Sequence, residues 1–258
     1  MRPNPVRAKL AAGGLAYGTM AFEFFTPGLP DILQAAGAEF VLYDTEHSGL
    51  GIEAVKAQMG AARGLDIVPL VRVPGCHYHL VAPVLDAGAM GIMVPMVETG
   101  EQARSIASWC RYPPDGVRGV AFGMPHDDYT GGHVAAKMRE ANQRTLVIAL
   151  VETARGIANV EEIMAAPGID VGWLGHFDLT TSMGIPGQFE HPDFLAAVDR
   201  LLAACRKNGK AAGVLAGTVE AAEAWRARGF RAIACNTDIG LLQEALRGAL
   251  GRLRGGQG

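Results

Sequence analysis

The segment "TLVIALVETARG" at residues 145–156 decides the class of fold. Six of the seven residues from Leu146 to Glu152 are aliphatic, and they do not alternate with polar residues. A short run that is apolar throughout is typical of a parallel strand buried on both faces. The run ends in Glu152, and a buried carboxylate is costly unless another group compensates its charge. We therefore expect a parallel sheet in which Glu152 meets such a group.

Similar apolar runs recur along the chain with helix-like segments between them. The eight runs are 15–20, 39–44, 66–73, 91–97, 145–152, 171–175, 210–217 and 231–238. The clearest helix candidates are 51–64, 78–88 and 191–209. Eight strand–helix units in a chain of about 250 residues predict an α/β fold of the (β/α)₈ (TIM) barrel type. An open Rossmann-type sheet is the alternative, but no run is followed by G-x-G-x-x-G.

One connection is longer than the others. After the fourth strand and a helix comes the loop 111–133, which contains "RYPPDGVRG" and several aromatic residues. A loop of this length is commonly a lid or a subunit contact. The tail 251–258 is expected to be frayed, and no segment is rich enough in Gly, Pro or Ser to divide residues 1–258 into two domains.

The charge and cysteine composition limits the kinds of molecule that the protein is expected to bind and the compartment in which it is expected to occur. Lys and Arg number 23 against 26 Asp and Glu, for a net charge of −3, which argues against nucleic-acid and membrane-surface partners. No apolar run reaches the ~18 residues that span a bilayer, and the N-terminus lacks the apolar core of a signal peptide. Cys76, Cys110, Cys205 and Cys235 are scattered, so we expect unpaired thiols and a cytoplasmic protein.

Polar residues follow several of the predicted strands, where the chemistry of such barrels takes place. They are Asp44, Glu46, His47, Arg72, Glu152, His176, Asp178, Asn236 and Asp238. Glu152 and Asp178 close adjacent strands, and two nearby carboxylates repel unless a cation or a proton lies between them. Oxygen ligands of this kind suit Mg²⁺ or Mn²⁺. Glu152 could instead pair with Arg155, and Asp178 could cap a helix.

Arg72 stands at the end of a buried strand and requires an anion, because unpaired arginines are rarely buried. His47 by itself is more often a loop residue than a catalyst. The remaining histidines show no metal-binding spacing and are expected at the surface or at helix starts; they are His77, His79, His126, His133 and His191.

An ordered set of motifs over residues 15–245 resembles the HpcH/HpaI family of class II, divalent-metal-dependent 2-oxo-acid aldolases. The motifs are "FVLYDTEHSGLG", "VPLVRVP", "VLDAGAMGIMVPMVETGEQA", "RYPPDGVRGVAF", "VETARGIANVEEIMAAPGIDVGWLGHFDLTTSMGIPGQFEHPDF" and "ACNTDIGLL". The resemblance implies a barrel of the phosphoenolpyruvate/pyruvate type and a hexamer, a trimer of dimers, in which one helix is exchanged between subunits. It also implies that the "YPPDGVRG" loop reaches a neighbouring site.

The resemblance assigns roles to individual residues. Glu152 and Asp178 match the metal ligands, for Mg²⁺, Mn²⁺ or Co²⁺. Arg72 matches the arginine that binds the oxo-acid and steadies its enolate. His47 matches a histidine that works through a metal-bound water, and Asp86 matches the aspartate that orients this histidine.

Further matches concern substrate binding. Asp44 matches an acidic residue near the aldehyde end of the site. The backbone after Gly175, around Phe177, resembles a turn whose N–H groups hold the substrate carboxylate, and Leu215 matches a position that shapes the pocket. His176 is either an added polar contact or a packed turn residue.

Three positions depart from the family pattern. Leu150 replaces a common Gln, His176 replaces a Pro, and Met20 stands where an aromatic residue is common. These departures leave the metal ligands and the His47–Asp86 pair intact, but they alter the shape and polarity of the pocket.

The sequence therefore predicts a carbon–carbon lyase that reversibly cleaves a 4-hydroxy-2-oxo-acid to pyruvate, or a related 2-oxo-acid, and an aldehyde. No lysine stands at a strand end, which disfavours a Schiff-base mechanism. The alternatives are a CoA-ester lyase, enolate chemistry of the macrophomate synthase type, and a non-catalytic barrel that binds metal and a 2-oxo-acid. A non-catalytic barrel would not need His47 and Asp86.

Overall fold

The computed structural model describes residues 1–255 and contains a closed barrel of eight parallel strands. Each strand pairs with the next one along the chain, and β8 pairs with β1 to close the barrel. The strands are β1 Ala16–Ala21, β2 Phe40–Asp44, β3 Val68–Arg72, β4 Gly91–Val94, β5 Leu146–Val151, β6 Val171–Leu174, β7 Ala211–Ala216 and β8 Ala232–Thr237. The predicted (β/α)₈ fold is confirmed.

Helices surround the barrel. They are α1 Pro5–Ala11, α2 Leu29–Ala35, α3 Ile52–Ala61, α4 Tyr78–Asp86, α5 Gly100–Trp109, α6 Val134–Arg144, α7 Ala154–Ala158, α8 Val160–Ala165, α9 His176–Ser182, α10 Pro192–Lys207, α11 Val219–Arg228 and α12 Asp238–Leu253. The helices predicted at 51–64, 78–88 and 191–209 correspond to α3, α4 and α10. Pro192 begins α10, as expected of a residue that has no N–H to donate.

The strands are apolar throughout because both of their faces are buried. In β5, Ile148 and Leu150 pack inside the barrel, whereas Val147 and Ala149 pack between the barrel and the helices. Side chains alternate along a strand, so Glu152, two residues after Leu150, continues the inward-facing series at the C-terminal end of the barrel. The strand pattern thus directs a carboxylate into the barrel mouth.

The long loop between α5 and α6 packs along the outer side of α4. Arg118 donates to Asp86 at 2.6 Å, and the Gly119 N–H donates to the Tyr78 hydroxyl at 3.0 Å. One 3₁₀ turn, Pro125–Asp127, lies within the loop. These contacts give the loop a defined path beside α4.

The C-terminal tail differs from the expectation. Helix α12 continues to Leu253, and the Arg254 N–H still bonds to the Leu250 carbonyl at 3.0 Å. Residues 251–253 are therefore helical and not frayed, because the helical hydrogen bonds persist through them. Residues 256–258 lie outside the described part of the chain.

The four cysteines are free thiols, as predicted. Within residues 1–255, no helix combines the length and the apolar character needed to cross a membrane.

Histidine placement is predicted correctly with one exception. His77, His133 and His191 each directly precede a helix, and His79 is exposed on α4. His126 was expected at the surface or at a helix start, but it is only 1% exposed. It is buried because the long loop folds back on itself, which a local pattern does not encode.

Burial of His126 affects its ionisation. Its Nε2 lies 3.2 Å from the Tyr112 hydroxyl, and its Nδ1 is buried without a hydrogen-bond partner in the described structure. Burial, followed by the positive charge of Arg118, lowers the pKa of His126 to about 4. Because the unfolded chain accepts this proton near pH 6.5, His126 contributes stability at neutral pH that is lost as the pH falls from about 6.5 towards 4.

We predict that His126→Gln reduces the acid sensitivity of the protein. Wild type should lose about 2 kcal/mol of unfolding free energy between pH 7 and pH 5 through this residue, and His126→Gln should not. Denaturant unfolding at the two pH values measures the difference. His133→Gln, at an exposed helix start, is the control and should keep the wild-type loss. Equal losses in wild type and His126→Gln would contradict the prediction.

Candidate active site

The Arg72 guanidinium is held by two acidic side chains at the barrel mouth. Its Nε donates to Asp44 Oδ1, and its Nη1 lies 3.2 Å from Glu46 Oε2. Asp44 is fully buried, pairs in register with Arg72 across β2 and β3, and also accepts the His47 N–H at 2.7 Å. Asp44 therefore supports Arg72 and the turn that carries His47. It does not line the cavity, which differs from its expected contact with substrate.

An aromatic ring covers Arg72 from the side of β1. The Arg72 Cζ lies 5.6 Å from the centre of the Phe22 ring, a cation–π distance. The segment from Phe22 to Phe24 is anchored by Asp238, whose carboxylate accepts the N–H groups of Phe22, Glu23 and Phe24 at 2.8–3.0 Å. Asp238 is thus a supporting residue that positions Phe22 over the cavity.

Glu152 is 4% exposed and has no cationic partner within residues 1–255. Its Oε1 accepts the Met96 N–H at 2.8 Å. Burial raises the pKa of Glu152 to about 7, opposed by the Met96 hydrogen bond and reinforced by the negative charges of Glu46 and Asp178. A carboxylate in this environment favours either a proton or a nearby cation.

Two alternatives for these carboxylates are wrong. Arg155 pairs with Glu98, with 3.3 Å between Nη1 and Oε2, and therefore does not compensate Glu152. Asp178 is not an N-cap, because α9 is preceded by Gly175 and Asp178 lies inside its first turn. Asp178 is exposed, and within the described residues it forms no ion pair.

Gly175 brings β6 against Glu152. A Cβ built on Gly175 would lie 2.5 Å from both Glu152 Cβ and Glu152 Oε2, a separation that real atoms do not adopt. Only glycine therefore allows this approach. Gly175 also precedes α9, whose first N–H groups have no acceptor within the helix.

The donor set suits a divalent cation. Glu152 and Asp178 line the same cavity, and neither forms an ion pair with a lysine or arginine in the described structure. The negative charge of Asp178 also raises the pKa of Glu152. Carboxylate oxygens are the preferred ligands of Mg²⁺ and Mn²⁺, which complete their coordination with water and substrate. Within residues 1–255, no group of three or more His, Cys, Asp or Glu is arranged as a metal site, so Glu152 and Asp178 are the candidate protein ligands.

His47 lies at the mouth of the same cavity, and its side chain is 61% exposed. Its Nε2 is 3.8 Å from Glu46 Oε2. Asp86 is not near it within one chain. Helix α4 starts above β3 and ends with Asp86 at the opposite end of the barrel, about 13 Å further along the helix axis, where Arg118 binds its carboxylate. The expected His47–Asp86 pair is therefore absent within a single described chain.

A cavity of about 250 Å³ contains these groups. Its lining residues are Met20, Phe22, His47, Arg72, Met93, Leu150, Glu152, Trp173, Leu174, Gly175, His176, Phe177, Asp178 and Leu215. The set includes no lysine, in agreement with the absence of a Schiff-base residue. No residue of the fully described loop 111–133 lines the cavity, so the loop is not a lid over the site of its own chain.

The three departures from the family pattern all line this cavity. Met20 and Leu150 are buried inside the barrel below the carboxylates. His176 packs in an aromatic group, with ring centres 4.6 Å from Phe177 and 5.2 Å from Phe189, and burial lowers its pKa. His176 is therefore a packed residue that also reaches the cavity. Whether it adds a polar contact to substrate stays a prediction.

Several residues of the site carry no sequence signal for a role there. Glu46 was noted only as a polar residue after β2, yet it lies between Arg72 and His47, and burial raises its pKa. Phe22 and Trp173 form apolar walls. The alternation of β1 and β6 could have identified both as inward-facing, since each lies two residues from another inward position.

A (β/α)₈ barrel with two free carboxylates and a buried arginine at its C-terminal mouth defines a class of enzymes that act on small anionic substrates. Comparison with known proteins specifies the family: a model of the HpcH/HpaI aldolase/citrate lyase family matches residues 23–245. The chain belongs to this family, and it is a carbon–carbon lyase of the aldolase type.

Individual relatives agree with this assignment. The chain is 36% identical to a hydroxypyruvate/pyruvate aldolase of Delftia acidovorans over 98% of its own length and 94% of the relative. It is 30% identical to a 5-keto-4-deoxy-D-glucarate aldolase of Klebsiella pneumoniae, covering 94% of both chains. A crystal structure of a family member from Burkholderia cenocepacia superposes with a TM-score of 0.90, at 35% identity, over 97% of this chain and 99% of the other.

We predict that Gly175→Ala strongly impairs the enzyme without unfolding it. The added methyl group would displace the Glu152 carboxylate, so metal affinity and turnover should both fall at least tenfold. Titration of Mn²⁺ by calorimetry and aldolase assays measure the two effects, and circular dichroism tests the fold.

Gly60→Ala provides the matched control. Gly60 lies in α3, and a Cβ there would meet no atom within 4 Å, so activity should stay at the wild-type level. Wild-type metal affinity in Gly175→Ala would show that the contact between Gly175 and Glu152 does not shape the site.

Proposed function

We propose that this aldolase reversibly cleaves a 4-hydroxy-2-oxo-acid to pyruvate, or a related 2-oxo-acid, and an aldehyde. One observation carries the proposal: Glu152 is buried, forms no ion pair within residues 1–255, and lines one cavity together with Asp178 and Arg72. That arrangement suits a ligand that brings both a cation and an anionic oxo-acid. The aldolase names of the relatives support the same substrate class.

We infer that Glu152 and Asp178 hold a divalent cation such as Mg²⁺, Mn²⁺ or Co²⁺. When bound, the cation supplies a Lewis acid that draws negative charge from the oxygens of the oxo-acid. The raised pKa of Glu152 supports this role, since a nearby cation would relieve the repulsion among Glu152, Asp178 and Glu46.

Arg72 supplies a second, fixed positive charge. Cleavage of the bond between C3 and C4 leaves negative charge on the oxo-acid fragment, and a preorganised guanidinium stabilises charge as it develops. Asp44 and Glu46 restrict the guanidinium to one orientation, so little reorganisation is needed. We propose that the N–H groups that follow Gly175, at the start of α9, bind the substrate carboxylate.

We propose that His47 moves the proton of the 4-hydroxyl group. It lines the cavity, its side chain is accessible from the mouth, and an imidazole can take up and release a proton as a general base must. The pairing of His47 with Asp86 would have to join two subunits, because the two residues lie at opposite ends of one barrel. Leu215, His176 and Phe177 would contact the substrate or shape its pocket.

The test is pyruvate formation from a series of 4-hydroxy-2-oxo-acids, measured with a coupled dehydrogenase. We expect activity with Mg²⁺, Mn²⁺ or Co²⁺ that disappears in excess chelator and returns when metal is restored. Full activity in the presence of chelator would refute the metal-dependent proposal.

The contribution of Arg72 is tested in the same assay. Arg72→Lys keeps the charge beside Asp44 but loses the two-pronged guanidinium, so we expect at least a hundredfold lower kcat with the fold preserved. Arg155→Lys is the control, because Arg155 is an exposed residue that pairs with Glu98, and it should leave kcat unchanged. A near-normal kcat in Arg72→Lys would remove Arg72 from the mechanism.

We also propose that the chain assembles through α12, in line with the exchanged helix and the hexamer that the resemblance implies. Leu242, Leu246, Leu250 and Leu253 recur at helical spacing and are 36–83% exposed in one chain. Exposing a continuous row of leucine side chains to water is unfavourable in free energy, and such apolar surfaces are characteristic of protein–protein interfaces.

Leu246→Glu should therefore lower the assembly state, because a charge would enter the apolar contact. Size-exclusion chromatography with light scattering measures the mass. Arg247→Glu, the adjacent polar position, is the control and should leave the mass unchanged. A wild-type mass for Leu246→Glu would contradict assembly through this face.

A further inference from the structure

A second cleft lies at the opposite end of the barrel from the aldolase site, near the starts of β3, β4 and β5. Its walls combine arginines with apolar side chains: Arg2, Met59, Arg63, Pro69, Gly88, Met90, Pro125, Asp128 and Arg144. Three arginines therefore face a single aspartate. None of these residues belongs to the aldolase cavity, so the cleft has to be explained separately.

Arg144, the last residue of α6, is the central group of the cleft. It is 9% exposed, and within residues 1–255 its guanidinium forms no ion pair and donates no hydrogen bond. Its Nε is completely buried without a partner. Arginines this deeply buried are normally paired, because an isolated charge loses its hydration without compensation.

The ionisation of Arg144 reflects that environment. Burial lowers its pKa to about 10, and the nearby Arg118 and Arg2 charges act in the same direction, whereas Asp128 acts against them. The guanidinium nevertheless remains charged at neutral pH. An unsatisfied positive charge is therefore present in the cleft under physiological conditions.

The other two arginines add to this charge. Arg2 donates to neutral acceptors, namely the carbonyls of Ala62, Leu65 and Ile67 and the Met90 sulfur. Within residues 1–255 it forms no ion pair, so it contributes to the cleft through its charge. Arg63 lies 3.9 Å from Asp128 and 39% of its side chain is exposed. Arg2 and Arg144 form the interior of the cleft, and Arg63 forms its edge.

We propose that this cleft is a binding site for a small oxyanion, of which inorganic phosphate is the representative. Arginine forks match tetrahedral and planar oxyanions through several parallel hydrogen bonds, which an isolated lysine charge would not supply. The closed interior measures about 20 Å³, room for about one water molecule, so the anion would be compact and would place only part of itself there, with its outer oxygens at the open edge beside Arg63. Binding would satisfy the buried Arg144 Nε and its charge together. The site is independent of the aldolase chemistry.

The test uses isothermal titration calorimetry of phosphate into metal-free full-length protein at constant ionic strength. Wild type should bind phosphate, and Arg144→Gln should bind it at least tenfold more weakly. Arg139→Gln, an exposed arginine of the same helix outside the cleft, is the matched control and should bind as wild type does. Thermal unfolding should show phosphate raising the Tm of wild type and Arg139→Gln but not that of Arg144→Gln.

Arg63→Gln provides a second variant should Arg144→Gln fail to fold, and it should weaken phosphate binding several-fold. Undetectable binding to wild type at 10 mM phosphate (about 3 kcal/mol or less of binding free energy) would overturn the proposal. Unchanged affinity in both variants would do the same, since any binding would then belong to Arg72. A third outcome is that wild type binds no phosphate and that Arg144→Gln has a lower assembly mass than wild type. That outcome would overturn the proposal and indicate that a carboxylate from a second copy of the chain binds in the cleft.

Discussion

The organisation of the aldolase site depends on one carboxylate that is buried without a cation. Glu152 is directed into the barrel mouth by the alternation of β5, and it is held there by the Met96 N–H and by close contact with Gly175. Its charge is opposed by Asp178 and by Glu46 instead of being neutralised by a basic side chain. A carboxylate in this environment favours a proton or a nearby cation, and this preference is the basis of the proposed metal site.

The nearby Arg72 illustrates the opposite arrangement. Asp44 and Glu46 compensate its guanidinium, and Phe22 covers it, so a buried charge is kept in one orientation with little conformational freedom. Asp44 achieves this because β2 and β3 pair in register and place it directly beside Arg72. Arg144, at the other end of the barrel, is buried to a similar degree without such support. Within the described residues, Arg72 is therefore a compensated buried arginine and Arg144 an uncompensated one.

Much of the barrel could be predicted because it rests on local patterns. Each predicted strand coincides with an observed strand to within a few residues, since a strand buried on both faces needs a continuous apolar run such as Leu146–Val151. Glu152, Asp178 and Arg72 could be identified for a related reason: a charged residue that ends such a run must lie at a barrel end. The location of Asp86 could not be predicted in this way, because it does not end a strand. Its position at the end of α4 and its partner Arg118, 32 residues later, follow from how the long loop packs.

The amino-acid sequence alone determined the eight-stranded barrel, the inward direction of Glu152 and Arg72, and the family to which the chain is similar, because these follow from periodicity and ordered motifs. Tertiary structure decided which charges meet. It buried His126 against Tyr112, placed Glu46 between Arg72 and His47, and separated Asp86 from His47. Among residues 1–255 it also left Arg144 without an ion pair. Such contacts join residues distant in the chain, and the free energy of a buried charge depends on all of its neighbours in space and not on its position in the sequence.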